Sequence, residues 1–177
     1  VLSVTKNAVD EDDLWNKVQA VLEEAVKKFI AMREQEGEKL KNDVLSRADT
    51  IIKNVEFVEE RSPETVKEYN EKLLTRMKEV LEGSQVDESR ILTEAAIFAD
   101  KVAVAEETVR LRSHIDQLRS MMNSEEAIGR KLDFLVQEIN RETNTIGSKA
   151  QDVEIAKVVI DTKAEIEKIR EQIQNIE

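Results

Sequence analysis

Leu14, Val18, Val21, Ala25, Phe29 and Met32 recur at steps of three and four, the period of an amphipathic helix, just after an acidic cluster, Asp10 to Asp13, that suits a helix N-terminus. The same period resumes after Gly37 with Leu40, Val44, Ala48, Ile51, Val55 and Val58. The glycine therefore reads as a tolerated helix interior rather than a break. Ser62-Pro63-Glu64 has the form of an N-cap, a proline at the first helical position and an acid in the first turn. A turn is predicted there, with a second helix carrying Val66, Tyr69, Leu73, Leu74, Met77 and Leu81 back along the first until Gly83-Ser84-Gln85 stops it. The expected product is a long antiparallel helical hairpin arm over residues 11–86.

Residues 87–177 have a different texture. A third helix from Asp87 to about Met122 carries Ala95, Ala96, Ile97, Phe98, Ala99, Val102, Ala103, Val104 and Ala105, apolar on nearly every side, which predicts burial all round. Asn123-Ser124-Glu125-Glu126 reads as a capping-box start for a fourth helix, ended by Thr145-Ile146-Gly147. Ser148-Lys149-Ala150-Gln151 reads as another start. The last helix then places Ile155, Val159, Thr162, Ile166, Ile169, Ile173 and Ile176 in alternating steps of four and three, a coiled-coil seam. Its partner is either an earlier helix or another subunit, and the isoleucines favour assembly. The predicted fold is all-α, a hairpin arm plus a helical bundle with a coiled-coil-like C-terminal helix.

Composition adds limits. The 177 residues include one Pro, four Gly and no Cys, which removes disulfides and thiolate metal sites and leaves the cytoplasm as the default compartment. No apolar run approaches the ~20 residues that span a bilayer, and the opening residues lack the basic-then-apolar pattern of a signal peptide. Val1-Leu2-Ser3-Val4-Thr5 alternates like the end of a strand, so residues 1–10 read as the remnant of a preceding domain or linker. Trp15, Tyr69 and the phenylalanines fall on apolar helical faces and read as packing groups.

The net charge of −11 argues against a nucleic-acid partner until its distribution is considered. Between Arg110 and Lys149 there are seven Lys/Arg against six Asp/Glu, whereas the remainder holds 20 basic against 32 acidic residues. At 100° per residue, Asp100, Glu107, Arg110 and His114 share one side of the third helix. They form a polar stripe that is either a structural ion-pair network or a site. On the fourth helix Glu138 and Glu142 are like charges at i and i+4, a pairing that Lys131 and Arg141, or a divalent cation, must compensate. Gly147-Ser148-Lys149, at the expected start of the last helix, has the makings of an anion cradle, and Asn140 and Asn144 can donate to phosphate or 2′-hydroxyl oxygens.

The run GRKLDFLVQEINRETNTIGSK from Gly129 to Lys149 and the closing KIREQIQNIE from Lys168 resemble the C-terminal region of bacterial YicC/YloC-like proteins. ADK at Ala99 to Lys101, Glu106-Glu107 and RLRSH at Arg110 to His114 match the same pattern. The resemblance covers residues 92–177 closely and the acidic arm loosely, and it leads us to expect that the family's N-terminal domain is missing. It implies a cytoplasmic, divalent-metal-dependent (manganese or magnesium) endoribonuclease that closes around structured RNA as a homo-oligomeric ring, a hexamer. In that reading Glu138 and Glu142, with Asp100 or Glu107, hold the ion. Arg110, Arg130, Lys131, Arg141 and Lys149 grip phosphates, assisted by Asn140, Asn144 and Ser148, and His114 shuttles protons. A metal-free route through the 2′-hydroxyl, using His114 and Lys149, stays open, as do a non-catalytic RNA-binding adaptor and a structural coiled-coil protein.

Overall fold

The computed structural model describes residues 10–80, 88–124 and 128–174. Expectations that rest on residues 1–9, on Gly83-Ser84-Gln85, on Glu125 and Glu126 and on Ile176 lie outside them. Every described element is an α-helix: α1 (Glu11–Val80), α2 (Glu88–Lys101), α3 (Ala105–Met121), α4 (Gly129–Lys149) and α5 (Val153–Ile173). The chain divides into two compact units, Val1–Lys41 and Asn42–Glu177.

In the first unit, α1 is opened by Asp10, whose Oδ1 accepts from the backbone N–H groups of Asp12 at 3.1 Å and Asp13 at 3.3 Å. Its ion pairs run along the helix, Lys17 to Asp13 at 2.6 Å and Lys28 to Glu24 at 2.7 Å. The apolar stripe from Leu14 to Met32 is exposed, Trp15 at 61%.

In the second unit α1, α3, α4 and α5 form a bundle in which neighbours run antiparallel, and α2 meets α1 where Phe98 stacks on Tyr69. From α1, Val44, Ala48, Ile51, Val55 and Val58 are buried, a repeat of four and three that presents one seam. Each fully buried aliphatic side chain of this kind contributes about 1.5–3 kcal/mol. Contacts set the directions: Arg47 bonds Glu165, Asn54 bonds Thr162 and Arg61 bonds Asp152, so α5 descends as α1 rises. Arg119 bonds Asp49 and Arg112 bonds Glu59, so α3 does the same. The α5 seam is thus met within the chain, and the tilt towards another subunit drawn from its isoleucines is corrected.

The turn expected at Ser62-Pro63-Glu64 does not form, and there is no hairpin arm, because Pro63 lies inside α1. An interior proline costs about 3 kcal/mol. Contacts on the adjoining turns offset it: Arg61 and Thr65 both reach Asp152, and Tyr69 stacks on Phe98 with ring centroids 3.6 Å apart. The predicted single third helix is two, broken at Val102-Ala103-Val104, where Ala103 N–H bonds the Asp100 carbonyl at 3.3 Å. Phe98, Val102 and Val104 are buried, but Ala96 is exposed and Ile97 is 57% exposed, so α2 is one-sided rather than buried all round.

Three helix ends also differ from expectation. Described α4 begins at Gly129, and Asn123 instead closes α3 by donating to the Arg119 carbonyl at 2.8 Å. Asp152, not Ser148, caps α5, accepting from the N–H groups of Glu154 and Ile155. Burial pushes the Asp152 carboxyl up, but the Ile155 N–H, Thr65, Arg61 and the Glu154 N–H together hold it below the usual aspartate range. Gly147 sits within the last turn of α4 rather than ending it, and a Cβ there would lie 3.0 Å from Cγ1 of Val159 on α5. The missing side chain lets the two helices approach closely. Among the described residues no helix is long and apolar enough to cross a membrane.

Candidate functional site

The α3–α4 pair carries most of the polar residues singled out above, and its antiparallel register decides which of them meet. Leu111, Ile115 and Leu118 of α3 and Leu132, Leu135, Val136 and Ile139 of α4 are buried and lock that register. One helical turn to the side, His114 lies opposite Glu138 and Glu142. A ring nitrogen of His114 and one carboxylate oxygen from each glutamate all lie within 4.8 Å of one another. Glu142 is buried and Glu138 partly so. The His114 Nδ1 atom is buried and has no hydrogen-bond partner. Buried polar groups are normally satisfied, so a histidine that meets two carboxylates and also carries an orphaned ring nitrogen marks a place where a ligand fits.

Cations surround the group. Arg110 reaches Glu142 at 3.7 Å while also bonding Glu106 one turn away on its own helix. Arg141 pairs with Glu138 at 3.3 Å and is otherwise exposed. Arg130 and Lys131 are exposed and border a groove of about 400 Å³ that runs from His114 and Glu138 along the first turns of α4. Asn140, Arg141, Asn144 and Ser148 share a second, polar face of α4 with Gln137 and Thr145.

Three residues stand apart from this group. Asp100 belongs to α2 and is exposed. The helix break that follows it ends the angular count by which it shared a stripe with Glu107, Arg110 and His114. Glu107 is buried but turned to Lys149, whose Nζ donates to its Oε1 at 2.7 Å and to the Ala103 carbonyl at 3.0 Å. Burial pushes the Glu107 carboxyl up, yet Lys149, its own backbone N–H and Arg110 prevail and keep it below the usual glutamate range. The anion cradle expected at Gly147-Ser148-Lys149 is not one, because these residues end α4 instead of starting a helix. A helix C-terminus offers carbonyls and partial negative charge, and the Lys149 ammonium is already engaged.

The reading of all aromatics as packing groups is also corrected. Phe134 is 65% exposed in the groove, and Trp15 and Phe29 are exposed in the first unit. Phe134 could have been found from spacing, since it falls three residues after Lys131 and four before Glu138, on the polar side of α4. Gln117 and Met121, which also line the groove, carried no such signal because their placement depends on the α3–α4 register.

Residues 58–177 match the family model described as endoribonuclease YicC-like, C-terminal, and residues 1–42 match that described as endoribonuclease YicC-like, N-terminal region. The second match corrects the expectation that the N-terminal domain is missing. The protein named "Probable endoribonuclease YicC" in Clostridioides difficile (strain 630) is 46% identical over 178 residues, covering 100% of this chain and 61% of that protein. The protein of the same name in Haemophilus influenzae is 35% identical over 168 residues, covering 95% of this chain and 58% of its own length. The chain thus spans about three fifths of the curated relatives it matches.

Proposed function

This chain belongs to the YicC-like endoribonuclease family, and we propose that it acts as a divalent-metal-dependent endoribonuclease whose chemistry is centred on the α3–α4 face. The observation that carries the reading is the convergence of His114, Glu138 and Glu142 from two helices onto one point, on a histidine whose Nδ1 is buried and unpartnered. One imidazole and two carboxylates form a mixed nitrogen and oxygen set that suits manganese better than magnesium, which prefers oxygen ligands. When bound, such an ion supplies positive charge to the phosphoryl oxygens and acidifies water.

The chain's own residues supply the rest. Arg110, 3.7 Å from Glu142, offsets the charge of that buried carboxylate. Arg130 and Lys131 border the groove and Arg141 pairs with Glu138, and these exposed cations grip phosphates on either side of the one to be cut. Asn140, Asn144 and Ser148 extend that grip along α4 with neutral hydrogen bonds. Lys149 and Glu107 have a positioning role, fixing the far end of α4 to α3. A homo-oligomeric ring around the RNA belongs to the same proposal.

Purified protein with a structured RNA and manganese tests it. Glu138→Gln and Glu142→Gln should each lower the cleavage rate at least about 100-fold with the helical fold intact, and the products should carry 5′-phosphates. Cleavage that proceeds equally in EDTA and leaves 2′,3′-cyclic phosphates would sink the metal reading in favour of attack by the 2′-hydroxyl. Tight RNA binding with no cleavage would instead make the protein an adaptor.

A further inference from the structure

Phe134 has no packing role that explains it. Of the large apolar residues of α4, Leu132, Leu135, Val136, Ile139 and Ile146 are buried, and Phe134 alone is exposed, with Lys131 one turn before it and Glu138 one turn after. Helix geometry puts side chains three and four apart about 5–6 Å from one another. A flat group lying on the Phe134 ring would therefore be flanked by an ammonium on one side and by the His114, Glu138 and Glu142 group on the other. The groove is shaped for such a group: Phe134, Leu135 and Met121 give it apolar walls, while Gln117 sets an amide among them. A side-chain amide both donates and accepts, as the edge of a base requires.

We propose that Phe134 is a stacking platform for one unpaired RNA base, and that this chain consequently selects RNA with an unpaired nucleotide next to the phosphate that is cut. The proposal rests on the α3–α4 reading given above and adds to it the feature of RNA that is recognised. Duplex RNA hides its base faces and presents a major groove too narrow for side chains, whereas loops and bulges can splay a base out onto an aromatic ring. Because every base has a π-face, stacking of this kind selects exposure and not sequence. By the usual strength of base–aromatic stacking, loss of the ring should weaken binding by about 5- to 150-fold.

The test uses the full chain in EDTA, so that binding is read without cleavage. Two hairpin RNAs serve as probes, one with 2-aminopurine in the loop and one with it in the stem, alongside Phe134→Leu, which keeps an apolar side chain without a ring, and Phe134→Trp. The wild-type protein should alter the fluorescence of the loop probe and leave the stem probe unchanged. Phe134→Leu should abolish that response and weaken loop binding at least about tenfold, while Phe134→Trp should retain both. Equal loop binding by wild type and Phe134→Leu would overturn the proposal. So would a change in molecular mass on sizing in Phe134→Leu, which would make the ring a contact between copies of the chain. The two readings fail separately: a loop response in protein that never cleaves removes the chemistry but keeps the platform, and cleavage unaffected by Phe134→Leu does the reverse.

Discussion

Along α1, Val44, Ala48, Ile51, Val55 and Val58 are buried, whereas Leu14, Val18, Val21, Phe29 and Met32, spaced in the same threes and fours, are exposed. Charges differ in the same direction. The described pairs of the first stretch run along the helix, Lys17 with Asp13 and Lys28 with Glu24, while the second has pairs of that kind, such as Arg47 with Asp43, and adds others that reach other helices, Arg47 to Glu165, Arg61 to Asp152 and Asp49 to Arg119. Period shows that a helix has an apolar side; only tertiary structure shows what that side meets.

The contrast can be broken most directly at its apolar residues. Ile51→Ala should cost about 2–5 kcal/mol in chemical denaturation, because it empties a fully buried site, whereas Leu22→Ala should cost no more than about 0.5 kcal/mol. Equal costs would mean that the first stretch is covered in solution. Next in size is Asp152→Ala, which removes the α5 cap and the acceptor for Arg61 and Thr65, at an expected cost of about 2 kcal/mol. Its folded pKa lies below the unfolded value near 3.9. The stabilisation is therefore complete above that pH and is lost as the pH falls through the folded value, so the variant should show a flatter acid limb in stability against pH. The smallest effects sharpen the division of charges: Arg112→Gln, which breaks a two-pronged pair with Glu59 across helices, should cost about 0.5–1 kcal/mol, against no more than about 0.3 kcal/mol for Lys17→Gln. Thermal melts at two salt concentrations would separate them.

What the sequence made legible follows from how local each signal is. The seams of α1 and α5 and the all-α fold were readable because helical period is local. The break at Val102-Ala103-Val104 was not, since an unbroken apolar run looks the same whether a helix continues or restarts. Pro63 misled for the opposite reason: a strong local turn signal was outweighed by the contacts of Thr65, Tyr69 and Arg61 with other helices. In the candidate site, Glu138 and Glu142 were visible as neighbours on one helix. That His114 faces them, and that Glu107 turns to Lys149 instead, depends on the register of α3 against α4, which no spacing within either helix encodes.

Gly147 ties the bundle's stability to that register. With no side chain between α4 and Val159, the interhelical gap is set by backbone against a valine methyl, and Glu142 sits on the same rod little more than one turn away. A substitution at position 147 thus acts as a wedge, able to shift the carboxylate relative to the imidazole without altering either residue. The molecule carries its own calibration screw, at a position with no functional group at all.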